Sequence, residues 1–559
     1  MGSSKDFSLY EGIMPKAQPA TAITPLELDL YYIRRPRLWL LLILLAYTAV
    51  AVNYARLTPA WQAPDEPAHY NYIADIATKG ALPVLQREDY NQKCMEVLVG
   101  NKFPQELGVD CLRYEAYQPP LYYLLGALVY RLSDGSLLAL RLFGVGLGIG
   151  LILLFYYNLQ LVFPDKPLVV LGATAFAAFL PMHVAVTASV SNDVLAELLL
   201  VAQLALLLRW SRDQFLAPAT AESPQSHHQL LLLGIILGLG LLTKVYAYLF
   251  IPLTFLAIVV TVWRQGRRWS RLWAGIRLSL WVLIPAFLLG LLWWVRNLQL
   301  YGGLDFLGLA WHDEVVVGQP RTSDWINTHG LMSYSERAFR FTFQSFWGVF
   351  GWMGVFMDER IYTAMLIFTG ILFLGLLWTL IRLISGTPDT DIDDYQRWVL
   401  FFFGVIVITV AAGYVWYNTK FVQHQGRYFF WGLLPISTFV ALGWREVMRP
   451  LQGLITGFLA LVLAAALTAA GMVTGGLNKW TLLTIGLTAL LLLCQPLLFI
   501  GTEGYTVRWL PQRFHDFWAR PLLALVRHSL QTVVWLLPFL LLLLLNVLIP
   551  TLYIVPQLQ

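Results

Sequence analysis

The chain has 559 residues, of which 58% are hydrophobic and 13% are charged, and its mean hydropathy is +0.62. Soluble domains carry roughly 25% charged residues, so this composition excludes an ordinary soluble protein and indicates an integral membrane protein. The formal net charge of +5 does not point to a nucleic-acid partner, because the basic residues cluster between apolar segments.

Apolar runs follow one another along most of the chain after a polar N-terminal tail, residues 1–37. Runs of about 17–25 apolar residues can cross a bilayer as helices, which satisfy every backbone group within the segment. The sequence therefore predicts an all-α polytopic membrane protein with about thirteen spans. The predicted spans are 38–55, 140–162, 168–188, 193–209, 229–245, 247–263, 273–295, 361–384, 398–417, 427–445, 452–474, 480–500 and 530–555.

Lys and Arg residues near the span ends set the expected orientation, since cytoplasmic loops carry most of them. The basic residues used here are Arg34, Arg35 and Arg37 before the first span, and later clusters that include Arg267, Arg268 and Arg508. With the N-terminus in the cytoplasm, the clusters fall on one side if residues 118–132 form an outer-face helix and not a span. Residues 56–139 and 296–360 then form two long outer segments.

An acidic pair, Asp65 and Glu66, follows the first span in the motif PDEPAHY. Charges so close to a bilayer are costly unless they are solvated, paired or used. Pro64 and Pro67 suit a helix start, where the helix dipole favours acids, so a cap and a first-turn acid are one interpretation. A cap needs only one acid, and we favour a functional role for the pair and for the neighbouring His69.

Further polar residues lie at the predicted outer ends of other elements. Glu115 precedes the segment YQPPLYY, and Tyr117 is its first residue. This segment is typical of an amphipathic helix at the membrane interface, and it also fits the rim of a substrate cleft. Asp193 ends the motif SND, which caps a helix well by itself. Its predicted position on the same side as Asp65 favours a functional role.

Basic residues on the outer side run against the charge bias of membrane proteins. They are Lys244, Arg296, Lys420 and Arg427, the last followed by Tyr428. Each could simply extend its charged end to the membrane surface. Several of them together indicate a bound anion, and the geometry of Arg suits phosphate.

Two further features leave alternatives open. Glu66 and His69 have the spacing of a metal-ligand pair, but no second such motif occurs, so we predict no tightly held metal and no certain cofactor. A loosely held Mg²⁺ or Mn²⁺ that bridges a phosphate remains an alternative. Cys94 and Cys111 lie in the first outer segment, where a disulfide worth about 3 kcal/mol and two free thiols both fit.

The motif set resembles the GT-C superfamily of polyprenyl-phosphate-sugar-dependent glycosyltransferases, in particular the protein O-mannosyltransferase and aminoarabinose transferase branch. The matching pieces are PDEPAHY, QPPLYY, Asp193, the element LLTK that ends at Lys244, and QGRY, which contains Arg427. The resemblance implies a GT-C-like transmembrane catalytic module over 38–445, with amphipathic jaw helices in the outer segment 56–139. Residues 446–559 add C-terminal transmembrane helices.

The resemblance also implies roles. Asp65 would be the catalytic base, and Glu66 would orient it or the acceptor. Substrate-binding candidates are His69, Glu115, Tyr117, Asp193, Lys244, Arg296, Arg427 and Tyr428. The donor would be an undecaprenyl- or dolichyl-phosphate sugar in the membrane lipid, and the acceptor an unidentified hydroxyl on protein, lipid or glycan. Transfer would invert the anomeric centre at the extracytoplasmic face of the plasma membrane.

Two other classes of function compete with a glycosyltransferase. A lipid or polysaccharide transporter predicts charged residues deep inside the spans, and the span interiors here are almost free of charge. A non-catalytic structural or assembly subunit of a membrane complex would not require these acids, yet Asp65, Glu66 and Asp193 are all present. A carboxylate to accept a proton and cations to hold a leaving phosphate are what a lipid-phosphate-dependent enzyme needs at one face.

Overall fold

The computed structural model describes residues 35–216, 227–265, 269–385, 392–476, 478–500, 507 and 510–559. Most of the predicted N-terminal tail and four of the residues used for orientation, Arg34, Arg267, Arg268 and Arg508, lie outside these ranges. The described chain is almost entirely helical, and the predicted all-α membrane class is confirmed. Its strands form one antiparallel hairpin of Val349–Phe350 (β1) and Val355–Phe356 (β2).

The α-helices are α1 Pro36–Leu57, α2 Glu66–Lys79, α3 Gln92–Gly100, α4 Leu121–Leu132, α5 Leu137–Val162, α6 Pro167–Phe179, α7 Pro181–Thr187, α8 Asp193–Leu216, α9 His227–Leu241, α10 Phe250–Arg264, α11 Trp269–Tyr301, α12 Leu309–Val315, α13 Thr322–His329, α14 Leu331–Trp347, α15 Glu359–Ser385, α16 Asp394–Asn418, α17 Leu433–Val447, α18 Pro450–Thr474, α19 Lys479–Cys494, α20 Gln512–Trp518, α21 Pro521–Ile549 and α22 Val555–Leu558. The 3₁₀ turns that matter for the site are Tyr114–Tyr117 and Gly426–Gly432.

The predicted count of thirteen membrane-crossing helices is not confirmed. Within the described ranges, ten helices are long and apolar enough to cross a membrane, or eleven if a bent pair counts as one span. The bent pair is α6 and α7, which meet at 63° where Pro181 interrupts the run. The other two predicted spans, 229–245 and 427–445, contain α-helices of 15 residues each, because the chain turns into 3₁₀ geometry beside them.

The predicted outer segments fold into short helices that pack on one another. Helix α4 has 12 residues and is therefore about 18 Å long, too short for a hydrocarbon core of about 30 Å. This length agrees with the prediction that residues 118–132 form a helix that does not cross the membrane. The indole nitrogen of Trp311 donates to Leu85 O at 2.8 Å, and that of Trp352 donates to Trp61 O at 2.9 Å. Cys94 and Cys111 form a disulfide, so the bridged alternative is the correct one.

Candidate active site

Asp65 lies at the start of α2 in a left-handed backbone conformation, with φ of 66°. This conformation is uncommon for residues other than glycine, although Asp tolerates it. The Asp65 side chain makes no capping hydrogen bond to the helix, so it does not act as a cap. Its carboxylate instead accepts hydrogen bonds from Tyr114 Oη at 2.8 Å and from Arg427 Nη2 at 2.6 Å. The strained backbone therefore aims the acid away from its own helix.

Glu66 faces the opposite way and is completely buried. Arg141, on α5, grips both of its oxygens, with Nε at 2.8 Å and Nη2 at 2.6 Å. The same guanidinium donates to the carbonyl oxygens of Ala55, Thr58 and Pro59 at the end of α1. Glu66 thus joins α1, α2 and α5 and holds the start of α2 in place. It has no recorded hydrogen bond to Asp65.

A second acid–base pair forms where α8 begins and α9 has ended. Lys244 Nζ donates to Asp193 Oδ1 at 2.5 Å and to Asn192 Oδ1 at 2.8 Å. Asn192 Nδ2 in turn donates to Tyr123 Oη at 3.3 Å and to Thr243 O at 3.3 Å. Three polar side chains therefore tie the ends of α4, α8 and α9 together around the lysine.

His69 lies one turn into α2 and shares a hydrogen bond of 2.9 Å between its Nδ1 and Tyr123 Oη. The imidazole is buried, and burial together with the nearby Lys244 ammonium lowers the pKa of His69 to about 3. His69 is therefore neutral at physiological pH. It contributes a hydrogen-bonding group to the site and no positive charge.

Glu115 occupies the 3₁₀ turn Tyr114–Tyr117, next in sequence to the tyrosine that binds Asp65. Its side chain is buried, and burial together with the charge of Asp65 raises the pKa of Glu115 to about 7. In contrast, the burial of Asp65 is outweighed by the charge of the Arg427 guanidinium and by the hydrogen bonds from Arg427 and Tyr114, so the pKa of Asp65 is lowered to about 2. Two carboxyl groups of one site thus have very different proton affinities.

Arg427 belongs to the 3₁₀ turn Gly426–Gly432, which is fixed against α14. Only glycine fits at position 426, because a β-carbon there would collide with Phe346 N. The Gly426 N–H donates to Ser345 Oγ at 2.7 Å. Tyr428 packs in an aromatic group with Tyr417 at a ring distance of 5.6 Å. On the other side of the site, the Tyr117 ring lies 4.2 Å from that of His312.

The structure brings six predicted residues into one charged cluster, namely Asp65, His69, Glu115, Asp193, Lys244 and Arg427. It does not bring Arg296 into that cluster. Arg296 donates to Pro83 O at 2.6 Å and lies over the Trp293 ring at 4.5 Å, which makes it a clasp between α11 and the first outer segment. Tyr117 and Tyr428 flank the cluster.

Two residues with clear roles at the site were missed in the sequence. Arg141 stands near the start of an otherwise apolar helix, and a charge in such a place was the available signal. The sequence gave no comparable signal for Tyr114, because this residue lies 49 positions from Asp65 and contacts it only in the folded protein.

The cluster does not offer a metal-binding donor set. Among the described residues, no group of three or more His, Cys, Asp or Glu side chains could hold a metal ion. The two ionised acids of the cluster, Asp65 and Asp193, each hold a cationic side chain.

Two cavities meet the Gly426–Gly432 turn. A small one of about 40 Å³ touches Arg427 and is bordered by Gln62, Pro64 and Ser191. A large apolar groove of about 580 Å³ lies between α14, α15, α16 and α17 and includes Phe429 of the turn. Its lining includes Phe339, Phe343, Phe373, Tyr414, Phe429 and Phe439. The turn therefore connects an apolar groove with the charged cluster.

The solved structures similar to this chain include three kinds of protein. The yeast protein O-mannosyltransferase Pmt1–Pmt2 complex bound to its sugar donor is 15% identical, with a TM-score of 0.34 over 50% of this chain and 36% of that one. ArnT from Cupriavidus metallidurans bound to undecaprenyl phosphate is 15% identical, with a TM-score of 0.43 over 91% and 77% of the two chains. The Archaeoglobus fulgidus oligosaccharyltransferase is 12% identical, with a TM-score of 0.40 over 88% and 60%.

All three are GT-C glycosyltransferases, the superfamily that the sequence motifs resemble. This chain spans about a third of the length of the mannosyltransferase chain. A search of curated proteins finds no match. A family model described as a predicted membrane protein (DUF2142) matches residues 108–440, more than half of the chain and including Glu115, Asp193, Lys244 and Arg427. The chain therefore belongs to the DUF2142 family of predicted membrane proteins.

Proposed function

We propose that this multi-pass membrane protein is a glycosyltransferase. It would move a sugar from a polyprenyl-phosphate donor to an acceptor hydroxyl at the outer face of the plasma membrane, with inversion at the anomeric carbon. The observation that carries the proposal is the charged cluster, in which two cations and three carboxyl groups from distant parts of the sequence meet beside an apolar groove.

The two cations supply what a leaving phosphate needs. Arg427 and Lys244 are held by Asp65 and Asp193, with side chains only 12% and 14% exposed. Arg427 Nε is buried and has no hydrogen-bond partner among the described residues, so one donor is free for an incoming oxygen. In a site that excludes water, such cations stabilise the charge that develops on the departing phosphate.

The apolar groove suits the polyprenyl chain of the donor. It is lined almost entirely by aromatic and aliphatic side chains, and its residue Phe429 lies two positions from Arg427 on the same turn. Phe339 and Phe373 are each 66% exposed, so the groove opens toward the surrounding lipid. A chain lying in it would place its phosphate end at the Gly426–Gly432 turn.

The acceptor hydroxyl must lose a proton as it attacks the sugar. The resemblance implies that Asp65 takes this proton, and that assignment stays a prediction. Asp65 is paired with Arg427, so it could serve only after the guanidinium has moved to the donor phosphate.

Lipids that copurify with the protein provide the test. Mass spectrometry of wild-type protein purified in mild detergent is expected to find a polyprenyl-phosphate sugar, and Arg427→Ala is expected to lose it, because a phosphate ligand is gone. Lys420→Ala is the matched control, since Lys420 is an exposed outer base outside the cluster. Equal lipid in Arg427→Ala, or no polyprenyl lipid with the wild type, would contradict the proposal. Transfer of the sugar in vitro should also fall about 100- to 10,000-fold in Asp65→Asn.

A further inference from the structure

The carboxyl group of Glu115 has a feature that the other acids of the cluster lack. The residue is 8% exposed, and its Oε2 is buried without a hydrogen-bond partner among the described residues. A buried polar atom without a hydrogen-bond partner is energetically costly, and a bound ligand can supply the missing partner. In a substrate site, the natural partner is a hydroxyl group of the bound substrate.

Asp65 has the opposite character. Both of its oxygens are occupied, one by Tyr114 and one by Arg427. The 3₁₀ turn that carries Glu115 is docked on Asp65 through Tyr114, so the two carboxyl groups are parts of one small assembly. Both oxygens of Asp65 are therefore engaged, whereas the Glu115 carboxyl has a side-chain hydrogen bond with Gln118 and keeps Oε2 open.

Several elements of the fold bring charged and titratable groups close to Glu115. The carboxylates are Asp65 from α2 and Asp193 from α8, and the cation is Lys244 from the segment after α9. The tyrosines that interact with it are Tyr114, Tyr117, Tyr123 and Tyr417. Burial is the largest influence and raises the pKa of Glu115 to about 7. A general base works best when its pKa lies near the working pH, which is true of Glu115 and not of Asp65 at about 2.

We infer that Glu115, and not Asp65, is the general base of this site. The inference rests on the proposed function. The acceptor hydroxyl donates its hydrogen bond to Glu115 Oε2, and its oxygen attacks the anomeric carbon. The bond between that carbon and the phosphate oxygen breaks, and the lipid phosphate leaves with the electron pair. The hydroxyl proton passes to Glu115. Asp65 stays ionised, holds Arg427 near the phosphate, and stabilises positive charge that develops on the sugar ring.

The dependence of transfer on pH tests the inference in the wild type. The donor is the polyprenyl-phosphate sugar that copurifies with the protein, and an envelope extract supplies acceptor hydroxyls. We expect kcat/KM to rise with pH through a midpoint near 7, the pKa of Glu115, and then to level off. A midpoint below 5, or no rise at all, would overturn the assignment.

Glu115→Gln provides the second measurement. Transfer to hydroxyl acceptors is expected to fall about 100- to 10,000-fold and to lose the inflection, with wild-type affinity for undecaprenyl phosphate. Glu106→Gln, an exposed acid of the same outer segment, is the matched control and should behave as wild type. Undiminished transfer in Glu115→Gln would overturn the inference but leave the proposed function intact. If no wild-type donor or transfer is found, the proposed function itself fails.

Azide separates a base from a structural residue, because this anion attacks without losing a proton. Glu115→Gln is expected to transfer sugar to azide as fast as the wild type does, whereas Asp65→Asn is expected to lose both reactions. An equal loss with azide and with hydroxyl acceptors in Glu115→Gln would mean that Glu115 only supports the fold. If Glu115→Gln does not fold, the wild-type pH profile decides alone.

Discussion

Two ion pairs begin at adjacent residues and differ in almost every physical respect. The Glu66–Arg141 pair is 0% and 4% exposed, and three nitrogens of Arg141 make five hydrogen bonds. The Asp65–Arg427 pair is 26% and 12% exposed, rests on a strained backbone, and leaves Arg427 Nε unpaired among the described atoms. The first pair is saturated and can only hold elements together. The second can exchange partners, which is what a site for a transient phosphate requires.

The largest expected effect comes from breaking the saturated pair. Glu66→Ala leaves Arg141 buried without its carboxylate, which should lower the free energy of unfolding by about 3–5 kcal/mol. Thermal unfolding in lipid nanodiscs measures the change. The double variant Glu66→Leu with Arg141→Met should recover much of the loss, because apolar side chains can replace a buried pair. A Glu66→Ala protein as stable as wild type would erase the distinction between the two pairs.

The disulfide Cys94–Cys111 is a covalent anchor of the same outer segment. It closes a loop of 17 residues, and its removal in Cys94→Ser should lower the free energy of unfolding by about 3 kcal/mol. Reducing agent should lower the Tm of the wild type by a similar amount and leave Cys94→Ser unchanged. Cys494→Ser, at the cysteine outside the bridge, is the control. Equal Tm values with and without reductant would contradict this expectation.

The exchangeable pair should tolerate change better. Tyr114→Phe removes one hydrogen bond to Asp65 and should lower the free energy of unfolding by about 1 kcal/mol. It should also raise the pKa of Asp65, because a hydrogen bond to the ionised form is lost. Thermal unfolding between pH 2 and pH 5 measures both effects. Tyr130→Phe, on α4, is a control without a recorded contact to Asp65. A destabilisation as large as that of Glu66→Ala would show that both pairs are structural.

The last expected effect is a dependence of stability on pH through Glu115. The pKa of this group is about 7 in the folded protein and 4.5 in an ordinary environment. The folded state therefore binds the proton more tightly, so the stabilisation is complete below pH 4.5 and is lost as the pH rises through 7. The Tm of Glu115→Gln minus the Tm of the wild type should be larger at pH 8 than at pH 5. Parallel Tm curves for the two proteins would contradict the raised pKa.

The sequence predicted the class of the molecule well, because apolar runs and basic clusters report directly on a bilayer. Every predicted span contains a helix, but the count of thirteen is not confirmed, since length and hydropathy do not reveal where Pro181 bends a run or where 3₁₀ turns shorten one. The candidate residues could be identified because charged side chains near a membrane are energetically unfavourable unless they are paired or have a function. Which acid pairs with which base could not be predicted: Asp65 and Arg427 are 362 positions apart, and the partner of Glu66 lies inside a predicted span.

The open side of the apolar groove has a practical consequence for anyone who handles this protein. Phe339 and Phe373 face the surroundings, so a hydrocarbon tail can slide in sideways without passing through water. The lipid phosphate released in the proposed reaction would leave through the same open side. Detergent tails have the same access. If the groove holds the carrier lipid as proposed, a long-chain detergent at high concentration would compete with that lipid, and transfer would be measurable only after the protein is moved into a bilayer.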